Sequence, residues 1–381
     1  MFQIFVVIGS VLGLCYVLLI SRFALGWRRL GKKKYLKVRT IQVSVIIAAR
    51  NEQENIAACL DALLRQDYPR ENYEIIIVND HSEDDTALLV ESYGQKHSNV
   101  RLEQLGEGLI GKKQAIRKGI ELSGAELIIT SDADCVMPAG WLTAMVACQQ
   151  GEDAVMVSGP VVFRNERTLF EKMQSLEFMA LISSGGGSLA YGKAILCNGA
   201  NLAYKREAYH AVGGFESEDG RASGDDVLLM YRMNELFRGK VSFLKEEDAI
   251  VSTKAAASVS EFFSQRRRWA SKGFSAYNAE AKYTALVVYF FNSLILAGPL
   301  VDWFCNRHGE IYLHLTGFCL ILAGIKCFFD FLLLFLAASF FKKERLLLLF
   351  LPEQILYVFY VVVTGIVGSF GRYEWKGRKT N

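Results

Sequence analysis

Pairs of carboxylates occur at two places in this sequence where metal or proton chemistry could take place. Asp132 and Asp134 form the triplet Asp-Ala-Asp, which is separated from the apolar run ELIIT only by Ser131. Two carboxylates so close repel each other unless a cation lies between them, and Mg²⁺ or Mn²⁺ bridging to a diphosphate would meet that need. Asp225 and Asp226 follow a glycine-rich polar stretch and precede the apolar pattern VLLMYRM. This second pair predicts either the acidic first turn of a helix or a general base for an attacking hydroxyl.

The string QRRRW is a third candidate. On a helix, Gln265, Arg268 and Trp269 share one face because they are three and four residues apart. Such a face is suited to a sugar and a phosphate. The amide can form hydrogen bonds with hydroxyl groups, the guanidinium can bind an anion with two N–H groups, and the indole offers an apolar surface for a sugar ring. The alternative is a basic patch with an interfacial tryptophan at a membrane surface, which accounts for Arg266 and Arg267.

The string GEGLIGKK, which begins at Gly106, is similar to two phosphate-binding loops without completing either pattern. A Walker A loop needs a Ser or Thr hydroxyl where this chain has Lys113, and a dinucleotide fingerprint belongs in the first βαβ unit. A P-loop nucleotide hydrolase coupled to membrane transport stays open on this string alone. We expect a glycine loop that leads into a helix, with Lys112 at the helix start in position to meet an anion.

The elements that must position these residues lie between 38 and 260, where strand-like and helical patterns alternate and predict an α/β domain with a mostly parallel sheet. The expected strands are Val43–Ala49, Tyr73–Val78, Val100–Gln104 and Glu126–Thr130, and the expected helices are Ile56–Arg65, Thr86–Tyr93 and Lys112–Leu122. In open sheets of this kind, ligands bind outside the carboxyl ends of the strands. Glu52, Asp80 and the segment 131–134 each follow a strand, so we expect them to meet at one edge.

Apolar segments frame this domain. Residues 2–20 carry no charge and are long enough, at about 1.5 Å per residue, to cross a hydrocarbon core of about 30 Å. The basic residues that follow them stay in the cytoplasm by the positive-inside rule, which places the domain there too. Further apolar segments lie at 283–304, 311–341 and 346–370. Within the second of these, Lys326 and Asp330 are four residues apart and could pair inside a helix bundle.

The predicted organisation has six parts. They are an N-terminal transmembrane helix (1–21), a basic cytosolic linker (22–37), the α/β domain (38–260), an amphipathic interface helix (261–282), a C-terminal membrane region (283–371) and a basic tail (372–381). Three C-terminal crossings would leave the tail outside the cell, whereas its basic residues argue for the inside. One of the last two apolar segments would then be re-entrant, interfacial or two short helices.

The composition excludes several classes of function. With 43 basic and 40 acidic residues and a net charge of +3, the chain has no overall basic field, and we expect no nucleic-acid partner. The eight cysteines include no C-x-x-C pair, so neither a zinc site nor a disulfide scaffold is expected. We expect reduced, mostly buried thiols.

The sequence resembles the family 2 glycosyltransferases, which have a GT-A fold with a Rossmann-like mixed sheet. The resemblance rests on seven strings that occur in order. They are VSVIIAARNE, the aspartate of VNDHSEDDT, the lysine of GKKQAI, DAD, NGAN, GDD and QRRRW. The likeness covers Val43 to Trp269. It is greatest to the membrane-bound branch with the cellulose, chitin, hyaluronan and poly-N-acetylglucosamine synthases and ceramide glucosyltransferase. Two departures are Ala48, where a proline is often found, and a membrane region shorter than in the large polymer synthases.

The resemblance implies an inverting transferase in a cell membrane, with its catalytic domain in the cytoplasm. It would move a sugar from a nucleotide-diphosphate sugar, expected to be a UDP-sugar, to a hydroxyl of a lipid or saccharide acceptor, with Mg²⁺ or Mn²⁺ as cofactor. Membrane lipids would surround it, and any partner for export is left unassigned.

The resemblance also implies roles for twelve residues. The nucleotide sugar would be bound by Glu52, Asp80, Lys112 and Asp132, and the metal by Asp134 together with Asp132. The catalytic base would be Asp226, which stands beside Asp225. The diphosphate and the acceptor would be covered by Gln265, Arg268 and Trp269, and Asn198 and Asn201 of NGAN would lie near the acceptor. A catalytically silent membrane scaffold is the non-enzyme alternative. Its basic helix would bind anionic lipid through Arg266 and Arg267, with an affinity that falls as salt rises.

Overall fold

The computed structural model describes residues 2–31, 38–215, 225–274, 278–307, 315–368, 373–375 and 378–380. The chain divides into two compact units. The helical unit consists of Met1–Arg29, Thr168–Ser188 and Ala256–Tyr373, and the sheet unit consists of Leu30–Arg167, Leu189–Ala255 and Glu374–Asn381.

The helices and strands of the described residues are as follows. The helices are α1 (Phe2–Arg29), α2 (Ile56–Leu64), α3 (Thr86–Gly94), α4 (Lys112–Leu122), α5 (Trp141–Gly151), α6 (Leu169–Leu189), α7 (Arg206–Ala211), α8 (Asp225–Leu236), α9 (Val259–Phe274), α10 (Ala279–Arg307), α11 (Leu315–Phe341) and α12 (Phe350–Gly368). The strands are β1 (Val43–Ala49), β2 (Tyr73–Asn79), β3 (Val100–Gln104), β4 (Leu127–Asp132), β5 (Met156–Ser158), β6 (Val161–Phe163), β7 (Leu202–Lys205), β8 (Val241–Phe243), β9 (Val251–Thr253), β10 (Tyr373–Trp375) and β11 (Arg378–Thr380). β1, β3 and α4 have the predicted bounds, and the other strands and helices predicted for the α/β domain differ by one or two residues at one or both ends.

The centre of the sheet unit is a seven-stranded sheet in the order β3-β2-β1-β4-β7-β5-β8. The first four strands are parallel, and β7 runs antiparallel to both β4 and β5. The expected mixed α/β sheet is therefore confirmed. A second, two-stranded sheet pairs β6 with β9 in parallel.

The local sequence explains the central strands. β1 is the uninterrupted run VSVIIAA, and its Val45, Ile46 and Ile47 are fully buried, as expected of a parallel strand with both faces covered. α4 packs on this strand so closely that a Cβ on Gly119 would collide with the Ile46 side chain. The close helix–strand contact fixes where α4 begins, and hence where Lys112 lies.

In the helical unit, α1 and α11 run side by side in the same direction. Phe5 packs edge-on against Phe318 near their N-terminal ends, and Trp27 packs edge-on against Phe340 near their C-terminal ends. α11 is one continuous helix of 27 residues, about 40 Å long. Among the described residues, α1, α10, α11 and the segment Glu344–Ile366 are long and apolar enough to cross a membrane.

A polar cluster holds the middle of this bundle together. Lys326 pairs with Asp330 at 2.7 Å, which confirms the predicted pairing, and the Tyr16 hydroxyl donates to Asp330 at 2.7 Å. The Tyr16 ring also packs against Phe291 of α10, with 4.7 Å between the centroids. We call the level of Tyr16, Asp330 and Phe291 the middle level. At this level Lys326 also donates to Gln354 of α12.

α12 lies across the bundle. Near its start, the Phe350 ring lies 5.3 Å from the ring of Phe331, one residue from Asp330 and therefore next to the middle level. Near its end, Gly365 packs so closely on the Tyr289 ring, two residues before Phe291, that a Cβ would not fit. These two positions are about 22 Å apart along the helix axis, yet both contact neighbours at nearly the same level.

The cysteines fit the expectation of free, mostly buried thiols. The described cysteines without a disulfide are Cys15, Cys59, Cys135, Cys148, Cys197, Cys319 and Cys327. Five of them are buried, which is typical of structural thiols that behave as small apolar side chains.

Candidate active site

The strand register brings three polar segments to one edge of the sheet. Ala49 at the end of β1 is level with Asn79 of β2, and Ala48 is level with Asp132 of β4. Glu52, Asp80 and Asp132 therefore follow adjacent strand ends, as the sequence predicted. The convergence is electrostatic as well as geometric, because the charges of Asp132 and Glu52 both raise the pKa of Asp134.

Asp134 is a carboxyl of this edge whose pKa is shifted by its surroundings. Burial, and next the negative charge of Asp132, raise its pKa above the usual value for an aspartate. Thr253 of β9 partly offsets this effect, since its hydroxyl donates to Asp134 Oδ2 at 2.9 Å. A pair of carboxylates that repel each other is suited to binding a cation.

Lys112 provides a positive charge next to this pair. It is the first residue of α4, and its ammonium forms an ion pair with Asp132. Burial opposes the charge, but the attraction of Asp132 outweighs it, and the pKa of Lys112 rises above its usual value. Lys112 therefore stays charged, while 39% of its side chain remains open to solvent.

Oxygen ligands for a divalent metal are present here. Three possible ligand atoms, one from each of Asp132, Asp134 and Cys135, lie within 4.8 Å of one another. Burial and the neighbouring carboxylates hold the pKa of Cys135 well above its usual value, so its thiol stays neutral and ligates poorly. Mg²⁺ and Mn²⁺ prefer oxygen. The site fits such an ion held by Asp132 and Asp134.

A buried arginine that the sequence reasoning missed ties the end of β1 to the residues that follow β2. Arg50, only 7% exposed, donates to the backbone carbonyls of Asp80 at 2.9 Å and His81 at 2.7 Å. The Asp80 carboxylate accepts a hydrogen bond from the Gly111 backbone N–H at 3.0 Å. Asp80 is buried, and it ties the glycine loop before α4 to the end of β2.

Glu52 belongs to a second chain of polar contacts at this edge. Its carboxylate accepts from the Asn55 amide at 2.8 Å, and Lys254 donates to Asn55 Oδ1 at 2.8 Å. Lys254 directly follows Thr253, the partner of Asp134. One short segment at the end of β9 thus supports both Glu52 and Asp134, although Lys254 is 199 residues away from its partner Asn55 in sequence.

Asp226 lies in the first turn of α8 and is held by the NGAN segment. Its Oδ2 accepts from the Gly199 N–H at 2.9 Å, and its Oδ1 accepts from the Val227 N–H at 2.9 Å. Asn198 shapes the turn by accepting from the Ala200 N–H at 3.0 Å. The carboxylate is therefore fixed by backbone donors. The side chain of Asp225 lies outside the described residues.

Asn201 has a different place from the one expected. Its side chain is fully buried, its amide donates to the carbonyls of Pro160 and Ala249 at 2.8 Å each, and its oxygen accepts from Trp141 at 2.9 Å. Every polar atom of the side chain is engaged. This position makes Asn201 a structural residue of the NGAN segment rather than an acceptor contact.

The motif QRRRW lies on α9, in the helical unit. The prediction that Arg266 lies in a surface patch is wrong, because its side chain is 1% exposed and pairs with Glu177 of α6 at 2.6 Å. Gln265 and Trp269 are partly exposed. The side chains of Arg267 and Arg268 lie outside the described residues, so their roles stay predictions.

Comparison with known families identifies the domain that carries this edge. The pattern of the family described as "Glycosyl transferase family 2" matches residues 44–213. This segment is a family 2 glycosyltransferase domain. The match includes Glu52, Asp80, Lys112 and the acidic pair of β4. The resemblance found in the sequence is thereby confirmed.

Curated relatives share this glycosyltransferase domain. The chain is 30% identical over 187 residues to the glycosyltransferase AglE of Haloferax volcanii, covering 49% of this chain and 59% of the relative. It is 26% identical over 274 residues to the poly-beta-1,6-N-acetyl-D-glucosamine synthase of Staphylococcus epidermidis, covering 71% of this chain and 64% of the relative. The chain thus spans about three fifths of the length of these relatives.

A solved structure supports the GT-A fold of the glycosyltransferase domain. The mannosyltransferase PcManGT from Pyrobaculum calidifontis, in complex with GDP-Man and Mn²⁺, superposes with a TM-score of 0.59 at 17% identity. The superposition covers 95% of this chain and 98% of that one. At this identity the likeness concerns the fold alone.

Proposed function

We propose that this protein is a membrane-bound, metal-dependent, inverting glycosyltransferase that moves a sugar from a UDP-sugar to a hydroxyl of a lipid or saccharide acceptor. The observation that carries the proposal is the charged group of Lys112, Asp132 and Asp134 at the carboxyl edge of a family 2 domain. Two carboxylates and a cation at that edge suit a metal-bound diphosphate. One relative is named as a synthase of poly-N-acetylglucosamine, and one structural neighbour holds GDP-Man and Mn²⁺.

The residues divide the chemistry between donor and acceptor. The metal, held by Asp132 and Asp134, would neutralise negative charge that develops on the departing diphosphate. Lys112 would add a second positive charge on the same side. Asp226 would accept the proton of the acceptor hydroxyl as the new glycosidic bond forms. Inversion requires that the hydroxyl attack the sugar from the face opposite the leaving group.

The other predicted residues are assigned supporting roles in this proposal. Glu52 and Asp80 would lie on the nucleotide side, where Asp80 also fixes the glycine loop. Asn198 would hold the turn that carries the Gly199 donor. Gln265, Arg268 and Trp269 would bind the diphosphate and the acceptor, as the resemblance implies.

The contacts favour this reading over the two alternatives. In a P-loop, lysine and backbone N–H groups point at phosphates, whereas here Lys112 pairs with Asp132 and the Gly111 N–H binds Asp80. A lipid-binding scaffold would need Arg266 at the surface, and Arg266 is buried. Neither alternative uses the acidic pair.

The reaction is tested by measuring nucleotide release from a panel of UDP- and GDP-sugars by the detergent-purified full chain. We expect release from one UDP-sugar, dependent on Mg²⁺ or Mn²⁺ and stimulated by membrane lipid or oligosaccharide. Release of phosphate from ATP, lost in Lys112→Ala and indifferent to Asp134→Ala, would favour the hydrolase instead. Failure to bind any nucleotide sugar, together with salt-sensitive binding to anionic vesicles, would favour the scaffold.

We also propose that α1, α10 and α11 cross the membrane, while α12 lies across the bundle and does not cross. The support is that α12 contacts Phe331 near its start and Tyr289 near its end, at nearly the same level of the bundle. The segment 344–366 is apolar enough to cross, but a crossing would separate its two ends by the membrane thickness. Three crossings return the basic tail to the cytoplasm, in agreement with the positive-inside rule.

A fusion experiment in a bacterial host tests this topology. Green fluorescent protein fused after Asn381 is expected to fluoresce, and alkaline phosphatase at the same position is expected to be inactive, because the tail lies in the cytoplasm. The matched control is a pair of fusions after Arg307, at the end of α10, where the activities should be reversed. Active phosphatase after Asn381 would show that α12 crosses the membrane.

A further inference from the structure

Arg266 touches two residues of the candidate substrate-binding face although its spacing does not place it on that face. Its Nη1 donates to Gln265 Oε1 at 3.0 Å. Its guanidinium carbon lies 4.1 Å from the ring centroid of Trp269, within the range of a cation–π interaction. The orientation of the amide and of the indole therefore depends on where this guanidinium lies.

Helix α6 in turn fixes the guanidinium. Glu177 Oε2 accepts from Arg266 Nε at 3.0 Å and from Nη2 at 2.6 Å. The next residue, Phe178, stacks against Trp269 with 5.9 Å between the ring centroids. The ring centroid of Phe262, one turn before Arg266 on α9, lies 4.7 Å from the guanidinium carbon. Two successive residues of α6 thus hold the arginine and the indole in one arrangement.

Stability alone does not account for this ion pair. A buried ion pair is often no more stabilising than apolar side chains of the same volume, because both charges lose their hydration. Removing one partner, in contrast, leaves an uncompensated charge in an apolar environment. The Arg266–Glu177 pair is therefore better explained by what it orients than by what it contributes to folding.

We propose that Arg266 and Glu177 are positioning residues, in which Glu177 fixes Arg266, and Arg266 fixes Gln265 and Trp269 in the orientation that binds the acceptor and diphosphate. This inference rests on the glycosyl transfer proposed above. Neither residue touches the reacting atoms in this scheme. Arg266 occupies one of the two positions that the pattern Q-x-x-R-W leaves unspecified, and Glu177 lies on a separate helix.

The test follows the indole directly, with the full chain in detergent labelled with 5-fluorotryptophan. The ¹⁹F resonance of Trp269 is assigned by its loss in Trp269→Phe. We expect Glu177→Gln to shift that resonance and to lower kcat/KM for the acceptor at least tenfold. Glu177→Asp, which keeps the charge, is expected to recover most of the activity.

The matched control is Glu280→Gln, which breaks the Arg22–Glu280 ion pair in the same unit. We expect it to change neither the Trp269 resonance nor the transfer rate. Because Glu177→Gln could fail to fold, the double variant Glu177→Gln with Arg266→Met removes both charges. It is expected to keep the thermal midpoint of the wild type within a few degrees and still to lose transfer at least tenfold.

Two results would overturn the inference. One is an unchanged Trp269 resonance with full transfer in Glu177→Gln, and the other is full transfer in the double variant. If the wild-type protein transferred no sugar at all, the proposed function would fail, whereas the Trp269 resonance would still show whether Glu177 and Arg266 orient the indole. The two proposals can therefore fail separately.

Discussion

Asp226→Asn is expected to lower the rate of sugar transfer by about a thousandfold. The carboxamide keeps one oxygen that can accept from the Gly199 N–H, where the carboxylate accepts at 2.9 Å, and gives up only the second contact, with the Val227 N–H. An amide cannot take the proton of the acceptor hydroxyl. The affinity for the UDP-sugar should stay within about twofold, because Asp226 acts on the acceptor side. Transfer rate and donor affinity are measured on the same preparation.

The matched comparison is Gly199→Ala, which leaves the carboxylate in place but crowds it. An added Cβ would lie 3.0 Å from Asp226 Oδ2, so the carboxylate must move by a few tenths of an ångström. A base displaced but still present should lose about tenfold in rate, much less than Asp226→Asn. Full activity in Asp226→Asn would show that another group accepts the proton, and the assignment of the base would be dropped.

The central sheet could be predicted because its signal is local. β1 and β2 are rich in β-branched residues, as is typical of buried parallel strands, and the polar residues that follow parallel strands meet at one edge. Asp80, Asp132 and Asp134 were found by that rule. The order of the remaining strands was not predicted, because β5, β6, β8 and β9 are only three residues long and carry no periodicity.

The residues that support the site could not be found in this way. Thr253 and Lys254 reach Asp134 and Asn55 from a part of the chain more than a hundred residues away, and no local pattern announces such a contact. Arg50 precedes Asn51 and Glu52 in the string VSVIIAARNE, but its contacts are with backbone carbonyls at the end of another strand. Contacts between distant segments depend on the fold, which the sequence pattern describes only in outline.

Charge and hydropathy patterns misplaced elements of the helical unit for a related reason. A basic stretch predicts a solvated face, yet Arg266 is buried because Glu177, 89 residues earlier, supplies an opposite charge. α6 lies inside the predicted α/β domain but clusters with the membrane helices. There its Gly187 packs against Gly26 of α1 so closely that neither has room for a Cβ. Apolar length likewise cannot distinguish a helix that crosses a membrane from one that lies along it.

Asp134→Asn is expected to have opposite effects on activity and on stability. Metal-dependent binding of the UDP-sugar and sugar transfer should both be lost, since one of two carboxylate ligands is removed. The metal-free protein should nevertheless unfold at a temperature about 2 °C higher than the wild type. Burial and repulsion by Asp132 penalise the ionised carboxyl in the folded state, and an amide carries no charge. Donor binding is followed by calorimetry with and without Mn²⁺, and unfolding is followed in EDTA.

The pH dependence identifies the cause of the stability gain. A carboxyl whose pKa is raised by folding destabilises the folded state above its folded pKa, and the penalty disappears below the unfolded pKa of about 3.9, where both states are protonated. The gain from Asp134→Asn should therefore be full at neutral pH and vanish near pH 4. Thr253→Val is the matched control, because it removes the hydroxyl that donates to Asp134 but keeps the carboxylate. It should weaken metal binding about tenfold without any gain in stability. Equal stability of Asp134→Asn and wild type at neutral pH would contradict the repulsion between the two carboxylates, and with it the reason for placing a cation there.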